Sequence, residues 1–202
     1  MNPPGTSDLA LAGRLPYRKA MTIEPDTKNW TWVLERPCPD CGFDSRVVSL
    51  AELPEWIADT VAFWPGVLDR PDVAVRPDEA TWSPLEYAAH VRDVFRVFAG
   101  RLDLMLAEDD PEFENWDQDA TAVASRYGEQ DPRRVSAELV EAGTALAESF
   151  VRVPAQAAGR TARRSDGSHF TVESLGRYLL HDLVHHRWDV SGSRPAGQQA
   201  QR

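Results

Sequence analysis

Apolar residues recur at every third or fourth position in four stretches of this chain, separated by acidic, polar or Pro-containing segments. That period puts the apolar side chains of each stretch on one face of an α-helix. Ser49 and Glu52 form a capping-box pattern ahead of LAELPEWIADTVAFWPGVL, where Pro54 suits the first turn and Pro65 is expected to end or kink the helix. Helix one is therefore predicted over about 50–68. Ser83, Pro84 and Glu86 supply the N-cap, first-turn and N3 residues of a second helix, striped by Tyr87, Val91, Val94, Phe95, Phe98, Leu102 and Met105 and reaching about Ala107. Asp131-Pro132 opens a third, with Val135, Leu139, Ala142, Leu146 and Phe150 recurring until Pro154. Thr171 caps a fourth, which ends near Val190.

Between these helices lie two longer connections. EDDPEFENWDQDA is too polar for a core, although Phe113 and Trp116 are placed to pin it to one. RTARRSDGSHF carries a Ser-Asp-Gly turn between short polar runs and suggests a small hairpin before helix four. The pattern predicts an all-α, up-and-down four-helix bundle over residues 49–191. An irregular N-terminal flap, 21–48, precedes it. Residues 1–20 and 192–202 lack any period and are expected to be disordered extensions, with Met21 opening a stretch that reads like a native start.

Composition narrows the partners. With 202 residues and 42% hydrophobic content the chain can bury one good core. A net charge of −10 repels phosphate backbones and anionic lipid, so neither nucleic acid nor membrane is an expected partner. No apolar run nears the roughly 20 residues of a membrane span, and no signal-peptide layout opens the chain. The expectation is a cytoplasmic monomer or homodimer acting on a small molecule.

Candidate chemistry is concentrated on helix four. Three of the five histidines, His181, His185 and His186, fall within six residues, and His90 sits inside helix two. Residues four apart share a helix face, and imidazole is the commonest protein ligand for zinc. Two pairs interleave: His181 with His185, and Asp182 with His186. The core stripe Leu175, Leu179, Leu183 and Val190 takes in His186, with Asp182 beside it, so the second pair is expected to point inward. His181 and His185 share a face with Tyr178, Trp188 and Asp189, at the mouth of the pocket or in support of the inner ligands. An inward Asp is costly unless paired or bound to metal, which favours coordination.

The only cysteines, Cys38 and Cys41, form one CPDC motif. It reads as half of a zinc knuckle, a redox pair, or a tight turn with buried thiols. Tetrahedral zinc needs two further ligands, and no second C-x-x-C exists to give them. His169 would complete such a site only by coincidence of folding. Trp30, Trp32 and the proline-rich approach to Cys38 read as part of a flap packed on the bundle.

The segment Trp82-Ser83-Pro84-Leu85-Glu86-Tyr87-Ala88-Ala89-His90 resembles the W-S-x-x-E-x-x-x-H helix of DinB/YfiT-like proteins. His181-Asp182-Leu183-Val184-His185-His186-Arg187-Trp188-Asp189 is similar to that family's second motif. The resemblance spans roughly residues 46–190 and implies a four-helix bundle holding one divalent metal ion. Aligning the H-x-W-D ending assigns the ligands to His90, Asp182 and His186; aligning the H-x-x-x-H spacing alone selects His181 and His185. Asp at the middle position departs from the family's usual His or Glu.

The H-x-W-D form is most similar to the metal-binding N-terminal domain of mycothiol-dependent maleylpyruvate isomerase. The resemblance thus implies a thiol-dependent S-transferase or isomerase with zinc as the first expectation and nickel as an alternative, and a low-molecular-weight thiol as cosubstrate. His185 and Asp189 are the candidate acid–base residues. A hydrolase using metal-bound hydroxide and a non-catalytic, metal-binding stress-response bundle are the competing expectations.

Overall fold

In the computed structural model, which describes Ile23 and residues 28–194, five α-helices carry nearly all of the regular structure: α1 Leu53–Leu68, α2 Pro84–Ala107, α3 Gln118–Ala124, α4 Pro132–Val151 and α5 Val172–Ser191. The expected extension 1–20 lies outside the described residues, as does the expected tail 192–202 apart from its first three residues. Four of the helices start where the capping residues stand. Glu86 accepts from the Ser83 amide at 2.8 Å while the Ser83 hydroxyl accepts from the Glu86 amide at 3.3 Å, and Thr171 with Ser174 makes the same reciprocal pair. At α1 the Ser49–Glu52 box opens a 3-10 turn, Leu50–Glu52, that runs directly into the α-helix. Pro65 sits within the last turn, where its missing N–H removes only one ladder bond, so the helix continues to Leu68.

Within this four-helix bundle, packing order differs from chain order. Helix α4 packs on both α1 and α2, and so does α5. Tyr87 meets His186 while Phe98 meets Tyr178, so α2 runs antiparallel to α5. The Arg92–Glu138 ion pair and the contact of Phe95 with Gly143 make α2 and α4 parallel. In chain order the bundle helices run up, down, down, up. Residues 108–131 must therefore return the whole length of the bundle, and this return passes beside His90. The close crossing of α4 over both partners depends on Gly143, where a methyl group would collide with Val61 and Phe95.

The two connections hold more structure than their composition suggested. The expected hairpin is there, β2 Thr161–Arg164 antiparallel to β3 His169–Thr171. A third strand, β1 Glu112–Phe113, adds parallel to β2. Two residues cannot display a period, and the seven-residue α3 buries no side chain, so neither left a hydrophobic signal. Phe113 is buried and Trp116 half-buried against the core, anchoring the acidic segment.

Residues 28–48 form the flap. It carries the 3-10 turns Trp30–Leu34 and Ser45–Val47 and packs on α5. Val33, Phe43 and Val48 are buried, the Ser45 hydroxyl donates to the Val33 carbonyl at 2.7 Å, and Arg177 of α5 donates to the Val48 carbonyl at 2.7 Å. Helix α5 is consequently covered on two faces. The stripe Leu175, Leu179 and Leu183 is fully buried in the bundle, and His181, expected at a pocket mouth, is only 4% exposed because the flap lies over it.

Candidate metal centre

Among the described residues, two groups of ligand-type side chains converge on α5, each with donor atoms within 4.8 Å of one another. The inner group is His90, Asp182 and His186. His90 projects from the second turn of α2 and has no exposed surface. Its Nε2 stands 3.5 Å from Asp182 Oδ1, and His186 Nε2 stands 3.7 Å from the same oxygen. The His90 and His186 rings are perpendicular, with centroids 4.7 Å apart. Donors bound to one ion at about 2.0–2.1 Å with tetrahedral angles lie about 3.4 Å apart, close to these separations.

Both His90 nitrogens and Asp182 Oδ1 are shielded from solvent and have no hydrogen-bond partner among the described residues. Such groups cost about 1–3 kcal/mol each when left unsatisfied, so the inner group fits a cation physically. Asp182 as a whole is half-buried, with the shielding concentrated on Oδ1. Burial holds His90 below the ordinary imidazole range. For Asp182, burial works toward a higher pKa, but the neighbouring His186 and His90 more than offset it and keep the carboxyl well below the usual range. Neutral imidazole and ionised carboxylate are the forms that coordinate metal.

Surrounding residues orient this group. Trp116 stacks on the His90 ring, with centroids 5.4 Å apart and planes within 7°, and its indole N–H donates to Thr121 Oγ1 at 2.8 Å. Trp82 packs on His90 from another side. His186 Nδ1 and Asp189 Oδ2 are 2.8 Å apart, so the ring donates to the carboxylate and its lone pair lies on Nε2, the nitrogen facing Asp182. Asp189 thus orients a neighbour. His185 Nε2 lies 3.8 Å from its other oxygen.

The outer group is Cys38, Cys41, His181 and His185. The first three are buried, and Cys38 Sγ lies 3.6 Å from His185 Nδ1. The helix-four pairs weighed against each other in the sequence therefore occupy different groups, and the CPDC motif meets one of them. His169 lies exposed on β3 and belongs to neither group. Burial pushes the Cys41 thiol up to about 12 and lowers His181 to about 4, with His185 adding to the latter shift.

A pocket of about 360 Å³ opens between the groups. Asp182 and His186 line it from α5, Trp82 and Tyr87 from the start of α2, and Trp30 and Asp40 from the flap. Tyr87 and Asp40 carried no warning in the sequence, because pocket walls are assembled from segments with no common period. Among the described residues no helix is long and apolar enough to cross a membrane.

The DinB superfamily profile matches residues 66–190, and the chain belongs to that superfamily. Its fold is similar to that of YfiT from Bacillus subtilis, with a TM-score of 0.59 and 18% identity over 74% of this chain and 86% of that one. YfiT is described as a probable metal-dependent hydrolase with an unusual four-helix bundle topology. No curated protein sequence matches the chain.

Proposed function

We propose that this protein is a metal-dependent enzyme in which His90, Asp182 and His186 hold one divalent ion, with zinc the first choice, at the floor of the pocket. The observation that carries this reading is the convergence of three ligand atoms whose buried members lack hydrogen bonds, beside a cavity open to a small molecule. Bound there, a divalent cation supplies Lewis acidity that lowers the pKa of a coordinated thiol or water. Two neutral imidazoles and one carboxylate contribute a single negative charge, so the floor favours an anionic nucleophile. Asp189 fixes the His186 tautomer, Trp116 and Trp82 clamp the His90 ring, and the aromatic walls Trp30, Trp82 and Tyr87 exclude water from a bound organic substrate.

The preferred chemistry is transfer of a low-molecular-weight thiol, such as mycothiol, to an electrophilic carbon, since the His186-Arg187-Trp188-Asp189 ending resembles the thiol-dependent branch of the family. A volume of about 360 Å³ accommodates an organic cosubstrate as well as water. Hydrolysis is the second reading, favoured by the fold shared with YfiT. In this reading the candidate bases are His185 and Asp189, both of which line the pocket, with Asp189 also paired to His186.

Elemental analysis followed by turnover assays tests the proposal. Metal-dependent loss of an electrophile only when thiol is supplied supports transfer, and cleavage of an ester or amide panel without thiol supports hydrolysis. Stable metal binding with neither activity would overturn the enzymatic reading and leave a metal-binding bundle.

A further inference from the structure

The outer group carries an inference of its own. We infer that Cys38, Cys41, His181 and His185 form a second, structural zinc site that fastens the flap to α5 and so builds one wall of the pocket.

Four donors of the types zinc prefers come from two elements 140 residues apart in the chain, and all lie within 4.8 Å of one another. Bonds of about 2.3 Å to sulfur and 2.0–2.1 Å to nitrogen at a tetrahedral angle separate the two donors by about 3.6 Å, the distance found between Cys38 Sγ and His185 Nδ1. His181 is 96% buried, and its Nε2 is shielded and has no hydrogen-bond partner among the described residues, which points independently to a ligand. The CPDC turn has the form of a chelating loop. Gly42 N donates to the Cys38 carbonyl and Cys38 N to the Phe43 carbonyl, both at 2.9 Å, and Gly42 takes φ +75°, which a side chain would resist. Both sulfurs are thereby presented to α5 from one rigid turn.

Charge and closure distinguish this site from the inner one. Two thiolates neutralise a divalent ion, which suits a buried position. Four protein ligands leave no position for substrate, the arrangement of a structural rather than a catalytic zinc. On binding, the two thiols release two protons to solvent, so no oxidant or reductant is needed. The consequence is mechanical. Trp30, packed against both outer histidines with centroids 5.6 and 5.4 Å away, and Asp40, between the two cysteines, both line the pocket.

The test uses the full-length chain purified with zinc and, separately, loaded with cobalt. Wild type should hold two ions per chain and show sulfur-to-cobalt charge-transfer absorption. His186→Ala should keep that absorption and lose one ion. Cys38→Ser with Cys41→Ser should lose the absorption and one ion, and hydrogen exchange over residues 30–48 should rise while the helices stay protected. Wild-type thiols should react with a disulfide reagent only after the metal is removed. A single ion per chain that the double serine variant retains, cobalt bound without charge transfer, or a Cys38–Cys41 disulfide in anaerobically isolated protein would each overturn the inference. Wild type that holds only the sulfur-bound ion would instead contradict the proposed function and leave this site standing.

Discussion

The two ligand groups share one helix and almost nothing else. Asp182 and His186 face a third ligand from within the bundle, whereas His181 and His185, one residue earlier in each case, face two cysteines from the flap. A rotation of about 100° per residue carries a side chain from one environment to the other. The inner group offers three donors, one negative charge and a pocket beside it. The outer group offers four donors, two ionisable thiols and a lid of tryptophan. Adjacent ligand-type residues thus meet different surroundings according to what is packed opposite them. The number of donors and the open side separate them more cleanly than residue type.

Substitutions on α5 give the largest expected contrast. His186→Ala should weaken metal binding at the inner group by more than the roughly 10–100-fold typical of losing an orienting partner, with helicity retained, as read by elemental analysis and circular dichroism. His185→Ala should leave the inner ion in place. If both variants lose the same ion, the two groups are one site and the contrast collapses.

Acid should act next on the metal-free protein. Burial lowers both His90 and His181, so the unfolded chain takes up protons first as pH falls below the ordinary value of about 6.5. Stability is fully present above that value and declines toward about pH 4, where His181 titrates in the folded state. The His181 contribution is on the order of 3 kcal/mol. Denaturant melts of chelated protein between pH 7 and 4 should show the decline, and a flat profile would deny that the buried imidazoles stay neutral.

Asp189→Asn removes the carboxylate that orients His186 and should cost about 10–100-fold in inner-site affinity or turnover while sparing the outer ion. The smallest effect belongs to Trp116→Ala. Losing the stacked ring beside His90 should weaken inner-site binding roughly 3- to 10-fold, the equivalent of about 0.5–1.5 kcal/mol for an aromatic pair. Competition with a chromogenic chelator can resolve both.

Much of this was legible in the residues. The caps at Ser83, Asp131 and Thr171 and the stripes behind them mark helices that form where expected, because capping and helical periodicity are properties of residues a few positions apart. The family resemblance set His90 with Asp182 and His186, with His181 and His185 as the alternative pair, and the former three stand together in the fold. By contrast, α3 and β1 are too short and too polar to leave a period.

What sequence alone determined about this protein is therefore local: where helices begin, which faces are apolar, and which ligand types stand four apart on α5. Only the tertiary structure decided that α2 and α4 run parallel, that the return segment brings Trp116 onto His90, and that the flap sets Cys38 and Cys41 against His181 and His185. The reason is physical. A helix face records that it will be buried, but one sequence carries no signal naming the segment that will bury it, and at this centre that partner separates a closed four-donor group from an open three-donor one.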